Sequence, residues 1–261
     1  MLSRLVQALH RLPRFPGQWR LAGLLRKALP GGIGLYADTG GIRYFVHDGS
    51  HVGHMLAVGR AGEPEIERLV PDGALGLVVD LGCNAGTFAL PLARRARLIV
   101  CVDADGEQIG LLRRSCALNG IANVVAVHAA ITSRAVPTET FHVARSLKDL
   151  SSRDAGMLRG RDDYATVEVP ALAVEAIVRQ YGPIDLLKID IEGFSGDAIV
   201  SLRARIADVR RIIAEPSPDM PEAVAFLRRN GFRVSQPWAD RTDLADHIRH
   251  TFLAERQEPV P

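Results

Sequence analysis

Short apolar runs and longer amphipathic stretches alternate along the chain from residue 63 onward. The apolar runs have the length and the β-branched content of buried strands; they read LGLVVDLG, RLIVCVD, NVVAVHAAI, IDLLKIDIEG and VRRIIAEP. The other stretches have apolar residues at helical spacing, and they include EPEIERLV, TFALPLARRA, GEQIGLLRRSCALNG, ALAVEAIVRQYG and MPEAVAFLRRNG. Strands and helices in this alternation predict a doubly wound α/β fold with a mainly parallel sheet.

Both ends of the chain and one internal stretch have other patterns. Apolar residues recur at helical spacing in residues 2–12 and 19–29, and the glycine-rich stretch GGIGLYADTGGIRYFV after them predicts a small hairpin. Residues 132–166 predict loops, and the tail from GFRVSQPW to HTFLAER predicts two final strands. We therefore expect a helical lead with a hairpin over residues 1–54, and one α/β domain over residues 55–261.

The charge of the chain is uneven, although its net charge is only +2. Residues 1–30 contain six Lys and Arg and no acidic residue, and the first acid is Asp38. A basic amphipathic lead either packs on the main domain or lies on an anionic surface, because both produce the same pattern; we favour packing. We expect no nucleic acid among the partners. No apolar run reaches the roughly 18 residues of a membrane span, which predicts no membrane insertion.

The number and spacing of the cysteines indicate the redox environment of the chain. There are three, Cys83, Cys101 and Cys116, and their spacing fits neither a disulfide framework nor a zinc site. The first residues are interrupted by charge too often for the apolar core of a signal peptide. We therefore expect a reducing, cytoplasmic environment.

The stretch LLKIDIEGFSG carries charges at every second position, at Lys188, Asp190 and Glu192. Because side chains alternate between the two faces of a strand, all three are expected on one face. Helices cover both faces of a parallel sheet, so a solvated face does not explain these charges. Charges are tolerated at the carboxyl end of such a strand, where the ligand crevice opens. The cluster is therefore expected to line a functional site.

A glycine-containing loop, VVDLGCNAGTF, follows the first buried strand and opens a helix. Its marked positions are Asp80, Gly82, Asn84 and Gly86. Glycine lets the backbone approach a ligand closely, and Cys83 supplies a small side chain between the two glycines. The next strand ends in Asp103, where an acid can accept hydrogen bonds from both ribose hydroxyls. This order of strand, loop, helix, strand and acid predicts a site for an adenosine-type cofactor.

The acid before the loop indicates which cofactor it is. A dinucleotide site has the pattern G-x-G-x-x-G, whereas the loop here has G-x-x-x-G after Asp80. The carboxylate of Asp80 would repel a pyrophosphate and would suit a cationic ligand such as S-adenosylmethionine. We therefore predict S-adenosylmethionine as the cofactor.

These motifs together resemble the FkbM-type methyltransferases, which are class I S-adenosylmethionine enzymes. The resemblance rests on GRAGEPEIERLV, VVDLGCNAGTF, LLKIDIEG and RRIIAEP, in that order, and it covers about residues 55–255. It implies a seven-stranded sheet with the last strand antiparallel. It also implies O-methylation of a hydroxyl group on a small molecule, a glycan or a lipid.

The chain departs from the pattern of this family at three places. The family usually has a Thr/Ser-Leu-Asp step where this chain has Ala171, Leu172 and Ala173, and a second glutamate where this chain has Ser195. The second strand usually ends in Glu-Pro, and here it ends in Asp103 and Ala104. The resemblance places these last two residues in the cofactor site, because an Asp in place of Glu keeps the ribose contact.

The charged cluster offers groups for the chemistry of methyl transfer to an alcohol. An alcohol must lose its proton when it attacks, so a general base helps. Glu192 lies nearest the end of the strand and is the predicted base or acceptor-orienting group. Asp190 is predicted to support the cofactor side, and Lys188 to pair with one of the carboxylates. No metal is assigned, although the two carboxylates with Glu215 could alternatively hold a divalent cation.

Other classes of function stay open from the sequence. One is a non-catalytic module of the same fold that binds an adenosyl ligand, and Ala173 and Ser195 are the residues in its favour. Another is a nicotinamide-dependent oxidoreductase, which the missing third glycine and Asp80 disfavour. A nucleic-acid methyltransferase would rest on the basic lead alone. The main hypothesis is a methyltransferase that acts on a small-molecule or glycan hydroxyl.

Overall fold

The computed structural model describes residues 32–48, 50–57, 62–145, 151–158 and 163–257. The predicted basic helical lead lies outside these residues. The division of the chain at residue 54 stays a prediction.

The described residues form an α/β fold with strands and helices in the predicted alternation. The strands are β1 (Ile33–Ala37), β2 (Arg43–His47), β3 (Leu75–Leu81), β4 (Ala96–Asp103), β5 (Val124–His128), β6 (Ala130–Ile131), β7 (Thr138–Ala144), β8 (Tyr164–Leu172), β9 (Ile184–Ile189), β10 (Val209–Ala214), β11 (Phe232–Ser235) and β12 (Phe252–Arg256). The α-helices are α1 (His51–Ala57), α2 (Pro64–Glu67), α3 (Ala89–Leu92), α4 (Gly106–Asn119), α5 (Val174–Tyr181), α6 (Ser195–Val200), α7 (Met220–Arg229) and α8 (Asp246–Arg249).

Seven of these strands form one sheet in the order β11-β12-β10-β9-β3-β4-β5. The pairs β3–β4, β4–β5, β3–β9 and β9–β10 are parallel, whereas β12 runs antiparallel to both β10 and β11. The predicted mainly parallel sheet and its antiparallel last strand are therefore confirmed. The chain order reverses direction between β3 and β9, and ligands bind beyond the carboxyl ends of strands at such a switch point.

The central strands are apolar because both faces of the sheet are covered. In β3 the side chains of Leu77 and Val79 belong to one buried cluster, and that of Val78 belongs to a second cluster on the other face. All three have at most 1% of their surface exposed. This burial of both faces explains the continuous apolar run that predicted the strand.

The predicted hairpin is confirmed as β1 and β2, which pair antiparallel. Tyr44 of β2 is fully buried, and the backbone N–H of Phe45 donates to Oγ of Ser115 on α4 at 2.9 Å. The guanidinium group of Arg114 also lies over the ring of Phe45, 4.1 Å from its centroid. The hairpin is thus packed on the helix that follows β4.

Two local expectations were wrong. The predicted helix TFALPLARRA is reduced to the single turn of α3, because residues 87–88 before it and residues 93–95 after it form turns. Residues 132–166 were expected to be loops, but they contribute to a second sheet in which β8 lies between β6 and β7. Most residues of β8 are exposed, so this strand lacks the buried apolar pattern by which sequence reveals a strand.

None of the described helices has both the length and the apolar character needed to cross a membrane.

Candidate active site

A cavity of about 740 Å³ opens beyond the carboxyl ends of β3, β4, β9 and β10. Two groups of predicted site residues line it. The first is Gly82, Cys83, Asn84, Asp103 and Ala104, and the second is Lys188, Asp190 and Glu192. The cavity therefore brings together the loop after β3 and the charged stretch after β9, which are more than a hundred residues apart in the chain.

The loop after β3 needs glycine for two different reasons. Gly82 has a φ of +74°, and a Cβ added to it would lie 1.8 Å from the backbone oxygen of Asp190. Only a residue without a side chain allows this approach of the two chain segments. Gly86 has a φ of +80°, and a Cβ there would meet Leu112 of α4 at 2.5 Å. Gly86 does not line the cavity, so its role in the described structure is the packing of the loop on α4.

Asn84 and Cys83 complete the loop. Asn84 has a φ of 47°, and its backbone N–H donates to Oδ2 of Asp103 at 2.8 Å. Cys83 is almost fully buried, and burial followed by the neighbouring Cys101 thiol raises the pKa of its thiol well above the ordinary value. Cys83 is therefore a small, buried side chain in the loop, and burial disfavours its thiolate.

Asp103 ends β4 and holds the loop in place. Its two carboxylate oxygens accept hydrogen bonds from the backbone N–H groups of Asn84 and Asp105 at 2.8 and 2.9 Å. Burial raises the pKa of Asp103 to about 6, although these two hydrogen bonds oppose the rise. A carboxylate has about four acceptor positions, so two remain for a ligand. Ala104 lines the cavity beside it.

Asp80 is completely buried beneath the loop. Neither of its carboxylate oxygens has a hydrogen-bond partner, and the nearest cation is Nζ of Lys188 at 3.7 Å. Burial raises the pKa of Asp80 to about 6, because Lys188 compensates only part of the cost of removing the carboxylate from water. Asp80 is not among the residues that line the cavity. The Asp80 carboxylate therefore affects the cavity only through its electrostatic field, without contact with the cavity surface.

Lys188 pairs with Asp190, as the sequence predicted. Nζ of Lys188 lies 2.7 Å from Oδ2 of Asp190, and only 13% of the lysine side chain is exposed. Burial alone would lower the pKa of Lys188, but the carboxylates of Asp190 and Asp80 raise it well above the ordinary value. The ammonium group of Lys188 is thus charged and paired with the carboxylates of Asp190 and Asp80.

Asp190 and Glu215 are a hydrogen-bonded pair of carboxyl groups. They follow the adjacent strands β9 and β10, and the backbone N–H of Glu215 donates to Ile189 at 2.9 Å. Burial and the Asp190 carboxylate raise the pKa of Glu215 to about 10. Burial would also raise the pKa of Asp190, but Lys188 and the hydrogen bond with Glu215 hold it below its ordinary value. At neutral pH Asp190 is therefore ionised and Glu215 carries the proton.

Glu192 does not lie in a strand. The sequence predicted that Lys188, Asp190 and Glu192 share one strand face, but β9 ends at Ile189 and Glu192 lies in the turn that follows. Its backbone oxygen accepts a hydrogen bond from Oγ of Ser152 at 3.0 Å. The strand ends early because the chain must turn at Gly193, which has a φ of +81°. The turn keeps Glu192 at the cavity, so the correction concerns its backbone and not its location.

Two parts of the cavity wall have no recognisable pattern in the sequence. One is residues 151–153, which lie in the stretch that was expected to be loops. The other is the pair of Glu63 and His247, whose Oε1 and Nε2 atoms are 2.7 Å apart. The residues of this pair are 184 positions apart in the chain, so no local spacing could reveal it.

Arg153 contributes a guanidinium group that is already occupied. It lies 2.7 Å from Oδ2 of Asp197 and 3.4 Å from Oε1 of Glu139, and it stacks over the ring of Phe194 at 3.9 Å. Only 10% of its side chain is exposed. Arg153 therefore shapes the wall and its charge is balanced by two carboxylates.

The sequence left open that Asp190, Glu192 and Glu215 together hold a divalent cation. Among the residues that the structure describes, no group of three His, Cys, Asp or Glu side chains is arranged to hold a metal ion.

A protein-family comparison covers the region of the loop after β3. Residues 78–159 match a protein family described as Methyltransferase domain. These residues belong to a methyltransferase domain. The matched residues include the loop after β3 and Asp103, so the predicted cofactor region of the methyltransferase domain lies within the match.

S-adenosylmethionine is the cofactor of this methyltransferase domain. The residues present fit the molecule. Asp80 places a buried carboxylate without a hydrogen-bond partner below the loop, which suits a cationic ligand. Asp103 keeps acceptor positions at the cavity for ribose hydroxyls.

Curated relatives match the methyltransferase domain over a short stretch. The 23S rRNA (uracil(1939)-C(5))-methyltransferase RlmD of Stenotrophomonas maltophilia (strain K279a) is 46% identical over 46 residues, which are 18% of this chain and 10% of that protein. The enzyme of the same name from Photobacterium angustum is 44% identical over 46 residues, 18% of this chain and 21% of that protein. The chain thus spans only a tenth to a fifth of the relatives it matches. Because these relatives are named for RNA, the expectation that excluded nucleic acid from the partners was wrong.

A solved structure is also similar to this methyltransferase domain. It is the ribosomal protein L11 methylase of Lactobacillus delbrueckii subsp. bulgaricus, with a TM-score of 0.40 and 18% sequence identity. The similarity covers 74% of this chain and 76% of that one. At this distance the likeness carries no inference about the activity of this chain.

Proposed function

We propose that this methyltransferase domain methylates a hydroxyl oxygen, and that Glu192 is the group that receives or orients the hydroxyl proton. The observation that supports Glu192 is its position. It lines the cavity in the turn after β9. Asp190, the other carboxylate of this stretch, is weakened as a base, because Lys188 and Glu215 stabilise its ionised form.

Each of the residues around the cavity has a different role in the proposed reaction. When bound, the cofactor supplies an electrophilic methyl group. Asp103 holds the ribose side, and the backbone of Gly82 allows close approach. Lys188 balances the charges of Asp80 and Asp190, so that the site does not accumulate uncompensated carboxylates. Glu192 orients the acceptor oxygen, and positioning of this kind supplies much of the rate of a displacement reaction.

The burial of the cysteines supports an oxygen atom, and not a carbon atom, as the methyl acceptor. The C5 atom of uracil, the target in the names of the relatives, is a weak nucleophile that needs covalent activation by an attacking group. All three cysteines of the chain are buried, and their thiol pKa values are raised above the ordinary value. A protonated, buried thiol is a poor nucleophile. A hydroxyl needs only a base, which the carboxylates provide.

The molecule that carries the hydroxyl has two candidates. The resemblance to FkbM-type enzymes supports a small molecule, a glycan or a lipid, and membership of that family stays a prediction. The match of 46 residues to rRNA methyltransferases supports RNA, in which the 2′-hydroxyl group is an acceptor of the same chemistry. The cytoplasm stays the predicted location, in keeping with three cysteines that form no disulfide.

The alternatives from the sequence have different support. The family match favours methyl transfer over the hydride transfer of a nicotinamide enzyme. A binding module without activity was suggested by Ala173 and Ser195. Ala173 precedes α5 without a side-chain cap, and Ser195 is fully buried with no hydrogen-bond partner for its hydroxyl. Neither residue lines the cavity, so neither removes a group from the proposed site.

The proposal is tested with S-adenosylmethionine that carries a labelled methyl group. The protein is incubated with a polar metabolite extract, a glycan and lipid extract, and total RNA, each separately. We expect label in one pool, in a product that mass spectrometry identifies as a methyl ether. A product methylated on carbon would contradict the hydroxyl assignment, and absence of label in every pool would favour the binding module.

A further inference from the structure

A second ion pair lies at the acceptor side of the cavity, formed by Glu63 and His247. The Nε2 atom of His247 lies 2.7 Å from Oε1 of Glu63. Both residues line the cavity, together with Glu192 and Glu215. The roles proposed above use neither member of this pair.

Backbone contacts fix the two ends of the pair. Glu63 directly precedes α2, and its carbonyl accepts from the backbone N–H of Glu67 at 3.0 Å. His247 lies in α8, where its carbonyl accepts from Oγ1 of Thr251 at 3.0 Å. Gln236 also ties the end of this helix, because its Nε2 donates to the carbonyl of His250 at 2.9 Å. The imidazole ring is therefore held at a defined place on the wall.

The charges around His247 favour its protonated form. The hydrogen bond to Glu63 raises the pKa of His247 most, and the carboxylates of Asp190 and Glu192 raise it further against the opposing effect of burial. On its own helix, Asp246 is paired with Arg249 at 2.8 Å. The remaining titratable groups of the neighbouring strand ends are Lys188 and Glu215. The carboxylate that we propose as the base is thus one of the groups that raise the pKa of the His247 ring.

We propose that His247 is a further acceptor-binding residue, and that Glu63 is the positioning residue that holds its ring; this inference rests on the proposed function. Glu63 occupies Nε2, which leaves Nδ1 as the ring atom for the acceptor. An N–H donor at this place would hold an oxygen of the acceptor molecule while Glu192 receives the hydroxyl proton. Loss of one charge-assisted hydrogen bond of this kind weakens binding about ten- to hundredfold.

The alternative is that the pair of Glu63 and His247 only connects α2 to α8 and has no part in binding the acceptor. Steady-state kinetics distinguish these two roles, with the acceptor that the labelling experiment identifies as substrate. For His247→Gln we expect KM for the acceptor to rise about ten- to hundredfold, with affinity for S-adenosylhomocysteine unchanged. Glu63→Gln should give a smaller rise in the same KM. His142→Gln is the matched control, because His142 bonds Thr166 on the second sheet and does not line the cavity. An unchanged KM in His247→Gln, or a rise equal to that of the control, would overturn the assignment.

A second measurement needs no acceptor. The imidazole pKa of His247 is followed by NMR in protein loaded with S-adenosylhomocysteine, in wild type and in Glu192→Gln. We expect the pKa to fall in the variant, because a facing carboxylate is lost. An unmoved pKa would show that the ring does not face Glu192 and would overturn the inference. Absence of methyl transfer by the wild type would instead reject the proposed function, and the NMR result would still decide the position of His247.

Discussion

The ammonium group of Lys188 lies 2.7 Å from a carboxylate oxygen of Asp190 and 3.7 Å from one of Asp80. Asp80 belongs to β3, before the loop that lines one part of the cavity, and Asp190 follows β9 and lines another part. One buried cation therefore joins the two halves of the cavity.

The first prediction concerns Lys188. Lys188→Met keeps the length of the side chain and removes its charge, which leaves two carboxylates without their cation. Removing one partner of a buried ion pair costs about 3–5 kcal/mol. Because 42% of the Asp190 side chain is exposed, water solvates the unpaired carboxylate and reduces this cost. We therefore expect a loss of about 2–4 kcal/mol in the free energy of unfolding. Urea denaturation at pH 7 measures it.

A second substitution checks the cause of this loss. The double variant Lys188→Met/Asp80→Asn also removes the buried negative charge, so Asp80→Asn should stabilise the Lys188→Met background more than it stabilises wild type. If the two gains in unfolding free energy are equal, the coupling between Lys188 and Asp80 is absent.

The second prediction concerns pH and Asp80. Burial raises its pKa from 3.8 to about 6, so between these values the native state holds a proton that the unfolded state has lost. The contribution of Asp80 to stability therefore falls as pH rises from about 4 to about 6. Asp80→Asn should remove this slope and raise the free energy of unfolding of the ligand-free protein at pH 7 by about 1–3 kcal/mol. A variant less stable than wild type at pH 7 would refute the account of Asp80.

The third prediction concerns the loop glycine. In Gly82→Ala the new Cβ would lie 1.8 Å from the backbone oxygen of Asp190, at a φ of +74°. We expect a loss of about 2–5 kcal/mol in unfolding free energy from the strained φ and the clash together. Gly73→Ala is the matched control, since Gly73 has a φ of +81° and a Cβ there meets nothing within 4 Å. It should lose only about 1–2 kcal/mol. Equal losses in thermal melts would show that the close approach to Asp190 does not matter.

The fourth prediction concerns the cofactor. Asp103→Asn keeps the side-chain shape but removes the charge that we propose accepts hydrogen bonds from the ribose hydroxyls. We expect affinity for S-adenosylhomocysteine to fall about ten- to hundredfold by calorimetry. In the wild type, burial raises the pKa of Asp103 to about 6, so affinity should decline as pH falls through 6, and Asp103→Asn should show less of this decline. The same decline in both proteins would assign the pH dependence to another group.

The large elements could be predicted because buried parallel strands are apolar throughout and are separated by helical patterns. The positions of Asp80, Asp103 and Lys188 at strand ends followed from the same pattern. The second sheet could not be found in this way, because β8 is exposed on most of its length and its apolar residues do not mark a core.

The candidate site was predicted only where it follows strands. The sequence predicted Glu192 on a strand because the charged residues of this stretch alternate with isoleucines. In the structure β9 ends three residues before Glu192. The contact of Glu63 with His247 depends on how two distant segments of the chain meet in space. A single sequence carries no signal for such a contact, because the two residues are 184 positions apart.

The role of Glu192 is tested most directly by turnover of Glu192→Gln on the acceptor pool that the wild type labels. The substitution keeps the shape of the side chain and removes the carboxylate. Glu168→Gln is the control, because Glu168 bonds Thr138 and Thr140 on the exposed second sheet. We expect turnover of Glu192→Gln to fall about 10²–10⁴-fold, with affinity for S-adenosylhomocysteine and the activity of the control unchanged. Full turnover in Glu192→Gln would contradict the proposed base and would leave the charged stretch after β9 as an ion-pair network alone.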